Sequence, residues 1–263
     1  MTTMPSAQHT DDLALRGKRA LVTGATKGIG ADIARRLAAA GVRLVLTGRD
    51  EAELASARDD LTNEFGVDVE TAAVDLADAS APEHLAGVAI AAFDGLDVLI
   101  NNAGVSYPEP AIVTDPGHFD TTIAINLRAP ALLAAAVGRH LVEQGTGGSI
   151  VTVASAAALA PLPEHYAYCT AKAGLVMATK VLARELGPHG IRANSVCPTV
   201  VLTEMGQRVW GDEAKAAPML ARIPLGRFAL PHEVSNTVAW LCSDSASMIN
   251  GVDIPVDGGY TMG

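Results

Sequence analysis

The order of predicted elements constrains the fold of this chain more than any other feature of its sequence. Seven short apolar runs, rich in β-branched residues, are separated by helix-length segments. The runs are RALVTG, VRLVLTG, VDVETAAVD, LDVLINNAG, GSIVTVAS, IRANSVCP and VDIPVDGG, and helical patterns cover residues 28–40, 50–64, 81–92, 115–137, 166–186 and 231–241. This alternation predicts an α/β fold, a single doubly wound, seven-stranded parallel sheet flanked by helices.

We expect one domain, because 263 residues suffice for a large core and no Pro- or Ser-rich linker divides them. Residues 1–15 are polar and lack periodicity, which predicts a flexible N-terminal tail before a domain spanning residues 16–263. Residues 198–229 contain Trp210, Pro218 and Pro224 but no clear sheet pattern. A long insertion beside the last strands predicts a lid near residues 199–229.

Composition excludes several classes of function. The net charge of −10 argues against binding to nucleic acid or to an anionic membrane, since both need a basic surface. Three cysteines without metal-ligand spacing and seven scattered histidines predict no metal site and no disulfide scaffold. The N-terminus shows no basic region followed by an apolar segment, and no later run approaches the ~20 apolar residues of a membrane span. We therefore expect a soluble, cytoplasmic protein.

A glycine-rich loop follows the first predicted strand. Gly24, Gly28 and Gly30 lie in TGATKGIG, between that strand and a predicted helix. Without side chains at these positions the backbone can approach a pyrophosphate at the helix N-terminus. A tight structural turn is the alternative interpretation of such a loop, but its placement between strand and helix favours a dinucleotide site.

The end of the second predicted strand bears on the choice of dinucleotide. Many NAD-selective folds place an acidic residue there to bind the ribose hydroxyls, whereas this chain has Arg49. Arg49 could bind a ribose phosphate bidentately, and Lys27 adds positive charge. This pattern modestly favours NADP, with NAD kept as the alternative because both cations are also compatible with a solvated surface.

A tyrosine and a lysine stand four residues apart in the fifth predicted helix. Tyr168 and Lys172 would lie on one helix face, and Ser155 precedes the tyrosine by thirteen residues. Lowering a phenol pKa from ~10 toward neutrality takes about 4 kcal/mol, which a nearby ammonium and a cationic nicotinamide ring could supply. An ordinary surface pair is the alternative for the two residues alone. Tyr166 has Thr170 rather than a lysine four residues on, so we assign Tyr168 as the base.

Together these motifs resemble the short-chain dehydrogenase/reductase family over nearly the whole chain. The resemblance rests on TGATKGIG, NNAG at residues 101–104, Asn126, Ser155 and YCTAK at residues 168–172. It implies a Rossmann-type fold and a catalytic tetrad of Asn126, Ser155, Tyr168 and Lys172. The implied NAD(P) site comprises Gly24, Thr26, Lys27, Gly28, Ile29, Gly30, Arg49, Asp75, Leu76, Asn102, Ala103, Gly104, Tyr168, Lys172 and Thr203.

The resemblance also implies a role for each member of the tetrad. Tyr168 would transfer the proton of a substrate hydroxyl or ketone oxygen, and Ser155 would hydrogen-bond the same oxygen. Lys172 would bind the nicotinamide ribose and lower the tyrosine pKa, while Asn126 would hold a water. Serine and asparagine alone more often serve turns and caps.

The C-terminal third is similar to the L-xylulose reductase branch of this family and to bacterial polyol dehydrogenases of the threitol type. The similarity lies in CPTVVLTEMGQRVW, MLARIPLGRF and VDGGY, and includes Pro198-Thr199 where much of the family has Pro-Gly. It implies substrate contacts by Ser155, His165 and Trp210, although a loop histidine and a lid tryptophan can also serve solvent contact and packing. Trp240 lies in an apolar helix pattern and is expected in the core or at an interface.

The leading hypothesis is therefore an NAD(P)-dependent enzyme that interconverts a short sugar alcohol, a tetritol or pentitol, and its ketose. A reductase of dicarbonyls or of 3-oxoacyl carrier substrates is the alternative, and a non-catalytic redox sensor is a third, less favoured one. The resemblance further implies a homotetramer that meets through helices around residues 118–143 and 166–186 and near the last strand.

Overall fold

A seven-stranded, all-parallel sheet forms the centre of the protein. The computed structural model describes residues 13–262, except for the side chains of Met205, Arg208, Val209 and Lys215. The strands follow the order β3-β2-β1-β4-β5-β6-β7. Their bounds are β1 Arg19–Thr23, β2 Arg43–Gly48, β3 Val69–Ala73, β4 Val98–Asn101, β5 Gly148–Val153, β6 Ile191–Pro198 and β7 Asp253–Val256. The predicted fold class is confirmed, and each predicted apolar run contains one strand.

Helices cover both faces of the sheet, which explains why the strands are apolar on both sides. Their bounds are α1 Gly28–Ala39, α2 Glu51–Phe65, α3 Ala81–Ala92, α4 Pro116–Ile123, α5 Ala129–Gln144, α6 Tyr166–Leu186, α7 Glu204–Trp210, α8 Glu213–Leu220 and α9 Pro231–Cys242. Ala20 and Val22 of β1 pack toward α1, α2 and α9. Leu21 points to the other side, toward α3, α5 and α6.

The helix predicted over residues 115–137 is interrupted. A π-helical turn, Ala124–Arg128, separates α4 from α5. Pro130 has no N–H, so the carbonyl of Asn126 loses its usual donor four residues on. The Asn126 side chain is fully buried and bonds to the backbone of Val105 instead. The interruption thus turns a polar side chain inward at this position.

The same helix also ends later than predicted. The sequence pattern predicts its end at Val137, before Gly138, but Gly138 lies inside α5 because Leu186 packs against it. α5 instead ends at Gly145, whose left-handed φ of 72° closes the helix. The helical segment Pro116–Gln144 has the length and apolar composition of a membrane span, but 56% of its most apolar window is buried within the protein. That degree of burial is the pattern of a core helix.

The segment between β6 and α9 folds into two short helices, α7 and α8. An isolated bridge between Val201 and Ala229 joins its two ends. Its apolar side chains, including Met219 and Phe228, form a separate cluster that contacts Ala156, the neighbour of Ser155. This segment therefore lies against the carboxyl end of β5.

Most of the predicted N-terminal tail, residues 1–12, lies outside the described residues. Leu15 is only 2% exposed and packs into the core with α1 and β2. The predicted tail boundary at residue 15 is therefore too late. The domain includes Leu15 because its side chain fills the core beneath β1.

Candidate active site

The loop after β1 forms the base of the site. Gly28 has a φ of 60°, which favours glycine, and a Cβ on Gly30 would overlap the carbonyl oxygen of Gly24. Among the described residues no side chain caps the N-terminus of α1, and its first turn has no acidic residue. Its free N–H groups and the helix dipole suit an anion. The loop thus fits the pyrophosphate of a dinucleotide.

Thr23 joins this loop to the end of β4. Its hydroxyl accepts hydrogen bonds from the N–H groups of Asn102 (2.9 Å) and Ala103 (3.0 Å). The Asn102 side chain donates to the carbonyls of Thr23 (3.0 Å) and Gly24 (3.2 Å). The NNAG loop therefore holds the glycine-rich loop in place. Asn101, by contrast, is buried and donates to the Pro130 carbonyl at 3.0 Å.

The carboxyl ends of β2 and β3 bring two further predicted residues to the same edge. Arg49 is exposed directly after β2. Asp75, after β3, is also exposed and accepts a hydrogen bond from the Ala77 N–H at 2.9 Å, while its neighbour Leu76 is buried. The Val74 N–H donates to the Gly48 carbonyl at 2.8 Å, which keeps the two strand ends together.

Lys27 is not free in the structure. Its Nζ lies 2.9 Å from Oε1 of Glu53 on the first turn of α2. The Thr26 hydroxyl donates to the other carboxylate oxygen at 3.1 Å. The hydrogen bond from Lys27, followed by that from Thr26, lowers the pKa of Glu53. Sequence reasoning missed Glu53, although its position three residues after Asp50 has the spacing of a capping box.

Thr203 approaches the glycine-rich loop from the lid. A Cβ on Gly28 would lie 3.4 Å from its methyl group. The Thr203 hydroxyl accepts a hydrogen bond from the Gly206 N–H at 3.1 Å and caps α7. The half-buried Ile29 packs into the core behind the loop. Thr203 therefore lies beside the α1 N-terminus.

Ser155 and Tyr168 meet at the end of β5. The Ser155 hydroxyl accepts a hydrogen bond from the Ala157 N–H at 3.1 Å. Burial of the phenol raises the pKa of Tyr168 above its ordinary value, although the hydrogen bond with Ser155 acts in the opposite direction. The sequence prediction was a lowered pKa. In the chain itself the cost of burying a phenolate outweighs the favourable contacts.

Lys172 lies under the tyrosine and is 3% exposed. Its Nζ donates to the Val153 carbonyl at 2.9 Å and lies 5.7 Å from the centroid of the Tyr168 ring. Burial lowers the pKa of Lys172 to about 8. The two residues therefore share a face of α6, as their spacing predicts, with the ammonium beneath the ring.

Asn126 joins the same group from the π-helical turn. Its Oδ1 accepts from the Val105 N–H at 2.8 Å, and its Nδ2 donates to the Val105 carbonyl at 2.7 Å. A Cβ on Gly104 would lie 3.3 Å from that Oδ1 and 3.7 Å from Nζ of Lys172. Gly104 is thus the narrow point between the asparagine and the lysine, and the tetrad is brought together.

His165 and Trp210 occupy different surroundings. The Nδ1 of His165 lies 2.8 Å from the Pro163 carbonyl, so this nitrogen carries the proton and Nε2 is an acceptor in the neutral ring. The ring is 6.1 Å from that of Tyr168, centroid to centroid. Trp210 is half-buried at the end of α7, and its ring lies 5.8 Å from that of Phe228. His165 therefore lies beside the base, and Trp210 belongs to the lid cluster.

The aromatic residues that sequence reasoning set aside lie elsewhere. Tyr166 is 55% exposed and contacts Phe119, with 6.1 Å between ring centroids. Trp240 of α9 packs against the core, as predicted. Tyr168 is therefore the tyrosine that faces Ser155.

Cys197 of β6 is a further residue that sequence reasoning missed. It is fully buried, and the Ser155 N–H donates to its sulfur, which lies close to Lys172. Burial raises the pKa of the thiol to about 12. Only the pairing of β5 with β6 brings it here, because Val153 lies opposite Val196. Within residues 13–262 no three His, Cys, Asp or Glu side chains are grouped as metal ligands.

Residues 24–261 match a family model described as enoyl-(acyl carrier protein) reductase. L-xylulose reductase from Bos taurus is 46% identical over 249 residues, which cover 95% of this chain and 98% of the relative. D-threitol dehydrogenase from Mycolicibacterium smegmatis is 44% identical over 254 residues, 95% of each chain. These similarities extend over the whole described domain.

Solved structures match equally broadly. A protein assigned as a short-chain alcohol dehydrogenase from Sinorhizobium meliloti superimposes with a TM-score of 0.90 at 36% identity, covering 96% of this chain and 98% of the other. A protein assigned as an NAD(P)-dependent gluconate 5-dehydrogenase from Beutenbergia cavernae, with NADP bound, gives a TM-score of 0.89 at 33% identity. That match covers 95% and 98% of the two chains.

Proposed function

Because the chain belongs to the short-chain dehydrogenase/reductase family, we propose that it interconverts a short polyol, a tetritol or pentitol, and its ketose with a nicotinamide dinucleotide. The observation that carries this proposal is the convergence of Ser155, Tyr168, Lys172 and Asn126 beside a loop that fits a pyrophosphate. The names of relatives that act on L-xylulose and D-threitol support the substrate class.

In this mechanism the glycine-rich loop and Lys172 would hold a nicotinamide dinucleotide, which would supply the hydride acceptor for oxidation or the hydride donor for reduction. The Tyr168 hydroxyl gives its proton to the ketone oxygen in reduction, and its phenolate takes the hydroxyl proton in oxidation. Ser155, which bonds to the same phenol, holds the substrate oxygen next to it. The two side chains thus define where the reacting oxygen lies.

The pKa shifts of Tyr168 and Lys172 bear on whether the chain itself favours reduction or oxidation. Burial raises the pKa of Tyr168, so its phenol is protonated at neutral pH and ready to donate to a ketone oxygen. Oxidation needs the phenolate and therefore depends on positive charge nearby. Lys172, with a pKa of about 8, is mostly charged at pH 7 and lies under the ring. Asn126 would hold a water next to this lysine.

His165 supports a hydroxylated substrate. Its Nε2 is left as an acceptor because Nδ1 donates to the Pro163 carbonyl, and the ring lies beside Tyr168. An acceptor beside the Tyr168 ring suits a second hydroxyl of a polyol. Trp210 would close over the substrate from the lid, where it packs on Phe228.

For the cofactor we propose NADP, with NAD as the alternative. Arg49 and Lys27 lie at the edge formed by the glycine-rich loop and the end of β2. The NADP bound in a related structure supports the same choice. The residues of the loop, with Asp75, Leu76, Ala103 and Thr203, would hold the rest of the dinucleotide.

We further propose a homotetramer in the cytoplasm, without nucleic acid or membrane partners. Leu132 of α5 and Met177 and Val181 of α6 are large apolar side chains that are about half exposed. They lie on the two helices that the family resemblance assigns to subunit contacts. Met262 and Val252 are exposed near β7, the other expected contact region.

Nicotinamide absorbance tests the function directly. A matrix of four- to six-carbon polyols and ketoses against NAD(H) and NADP(H) should give strong turnover with one stereoisomer. Faster reduction of a dicarbonyl or an acyl-carrier ketone than of every ketose would select the alternative substrate class. Absence of hydride transfer over the whole panel would point to a dinucleotide-binding protein without turnover.

A further inference from the structure

We propose that Glu53 determines the balance between NADP and NAD by competing with the 2′-phosphate for Lys27. This role rests on the proposed dinucleotide site, and it concerns a residue outside the glycine-rich loop and the end of β2.

The start of α2 and the glycine-rich loop are fixed against each other. β1 and β2 are paired in register, with Thr23 opposite Thr47, and the Ala25 N–H donates to the Thr47 carbonyl at 3.1 Å. A Cβ on Gly48 would lie 3.2 Å from the methyl group of Thr26. The loop that carries Lys27 and the strand end that carries Arg49 therefore form one surface.

The Glu53 carboxylate is held toward this surface. Asp50 caps α2 by accepting from the N–H groups of Ala52 (2.9 Å) and Glu53 (3.0 Å), which fixes the first turn. Glu53 then bonds to Lys27 with one carboxylate oxygen and to Thr26 with the other. Both of its oxygens thus face the loop, and the Glu53 side chain is 44% exposed.

Glu53 neutralises Lys27 by forming an ion pair with it. Arg49, the other cation at this edge, forms no ion pair with any described side chain between residues 13 and 262. A 2′-phosphate that binds near Lys27 must displace the Glu53 carboxylate or share Lys27 with it. The negative charge of the carboxylate also repels the phosphate. The 2′-hydroxyl of NAD carries no charge and can donate to the same carboxylate. Glu53 therefore lowers the affinity for NADP and favours NAD.

The test compares Glu53→Gln with Glu51→Gln, an exposed glutamate on the same turn of α2. Glutamine keeps an acceptor for Thr26 but removes the charge. Isothermal titration of the full chain with NADP and with NAD should show about three- to tenfold tighter NADP binding in E53Q, with NAD unchanged or weaker. The gain should shrink at 0.5 M salt, and E51Q should show no such change.

A double variant assigns the effect to Lys27. In a Lys27→Gln background, Glu53→Gln should no longer strengthen NADP binding selectively. An unchanged ratio of the two dissociation constants in E53Q, or an equal shift in E51Q, would overturn the role of Glu53 while leaving the dinucleotide site intact. Failure of the wild-type chain to bind either dinucleotide would overturn the site itself.

Discussion

At the scale of the residue, spacing along the chain predicted which side chains of one helix lie together. Tyr168 and Lys172 lie on one helix face, so their separation of four predicted their contact. Glu53 and Cys197 could not be found in this way, because each reaches the site through a neighbouring element. The direction of the Tyr168 pKa shift also could not be predicted from the sequence, because burial of the phenol depends on the packed structure.

Replacing Tyr168 with phenylalanine removes the proton donor but keeps the ring that packs over Lys172. We expect turnover to fall by roughly 10²- to 10⁴-fold while dinucleotide binding and thermal unfolding change little. Steady-state kinetics with the best ketose, together with NADP titration, checks this. Near-normal turnover by Y168F would contradict the assignment of Tyr168 as the acid and base.

The buried charge of Lys172 should lower the free energy of unfolding of the protein. Its folded-state pKa of about 8 lies below the ordinary value of 10.5, so the unfolded chain binds more protons between these two values. The cost is full below pH 8 and shrinks as the pH rises toward 10.5. Replacement with methionine should therefore stabilise the chain at pH 7 by about 1 to 3 kcal/mol, despite the lost bond to the Val153 carbonyl.

Urea unfolding of the wild type and K172M at pH 7 and pH 9.5 measures this difference. The advantage of K172M should narrow at the higher pH, because the wild-type amine is then mostly neutral in the folded state. If K172M is less stable than the wild type at pH 7, the contacts of the buried Lys172 ammonium outweigh the cost of its burial. Catalysis should be lost in K172M in either case.

At the scale of the element, periodicity predicted the strands and most helices because each buries a regular face. It could not predict the π-helical turn at residues 124–128, which depends on Pro130 and on the bonds of Asn126 to Val105. It also ended α5 early at Gly138, whose missing side chain makes room for Leu186. Local exceptions of this kind arise from tertiary contacts.

The start of α9 provides a test of an individual helix end. Glu233 accepts two hydrogen bonds from the Arg227 guanidinium and one from the Leu230 N–H at 2.8 Å. These bonds, led by that from Arg227, lower the pKa of Glu233 to about 2. Because the folded-state value is depressed, the stabilisation is present above the ordinary pKa of 4.5 and is lost as the pH falls toward 2.

Glu233→Gln should therefore lower the stability by about 1 kcal/mol at pH 7 and by progressively less below pH 4.5. Glu70→Gln, at an exposed position on β3, serves as the control. Thermal melts at pH 7 and pH 3.5 measure the difference. If the gap between wild type and E233Q stayed constant with pH, the carboxylate would not be the source of the stabilisation.

At the scale of the whole molecule, the sequence predicted the sheet and its parallel direction. These features follow from the order of elements and the handedness of their connections. Assembly is different, because it depends on which apolar side chains remain exposed after folding. The half-exposed Leu132, Met177 and Val181 provide that information.

Met177 and Val181 lie one turn apart on α6, the helix that also carries Tyr168 and Lys172. Burying them between subunits would stabilise a tetramer through the hydrophobic effect. Light scattering at micromolar concentration should give about four times the chain mass of 27.0 kDa.

Val181→Glu places a charge in this surface and should yield smaller species with reduced turnover, whereas Ser56→Glu on the exposed side of α2 should stay tetrameric. A wild-type monomer would contradict the proposed assembly. A tetramer that survives V181E would show that its subunits meet through other surfaces, such as the exposed Met262 and Val252 near β7.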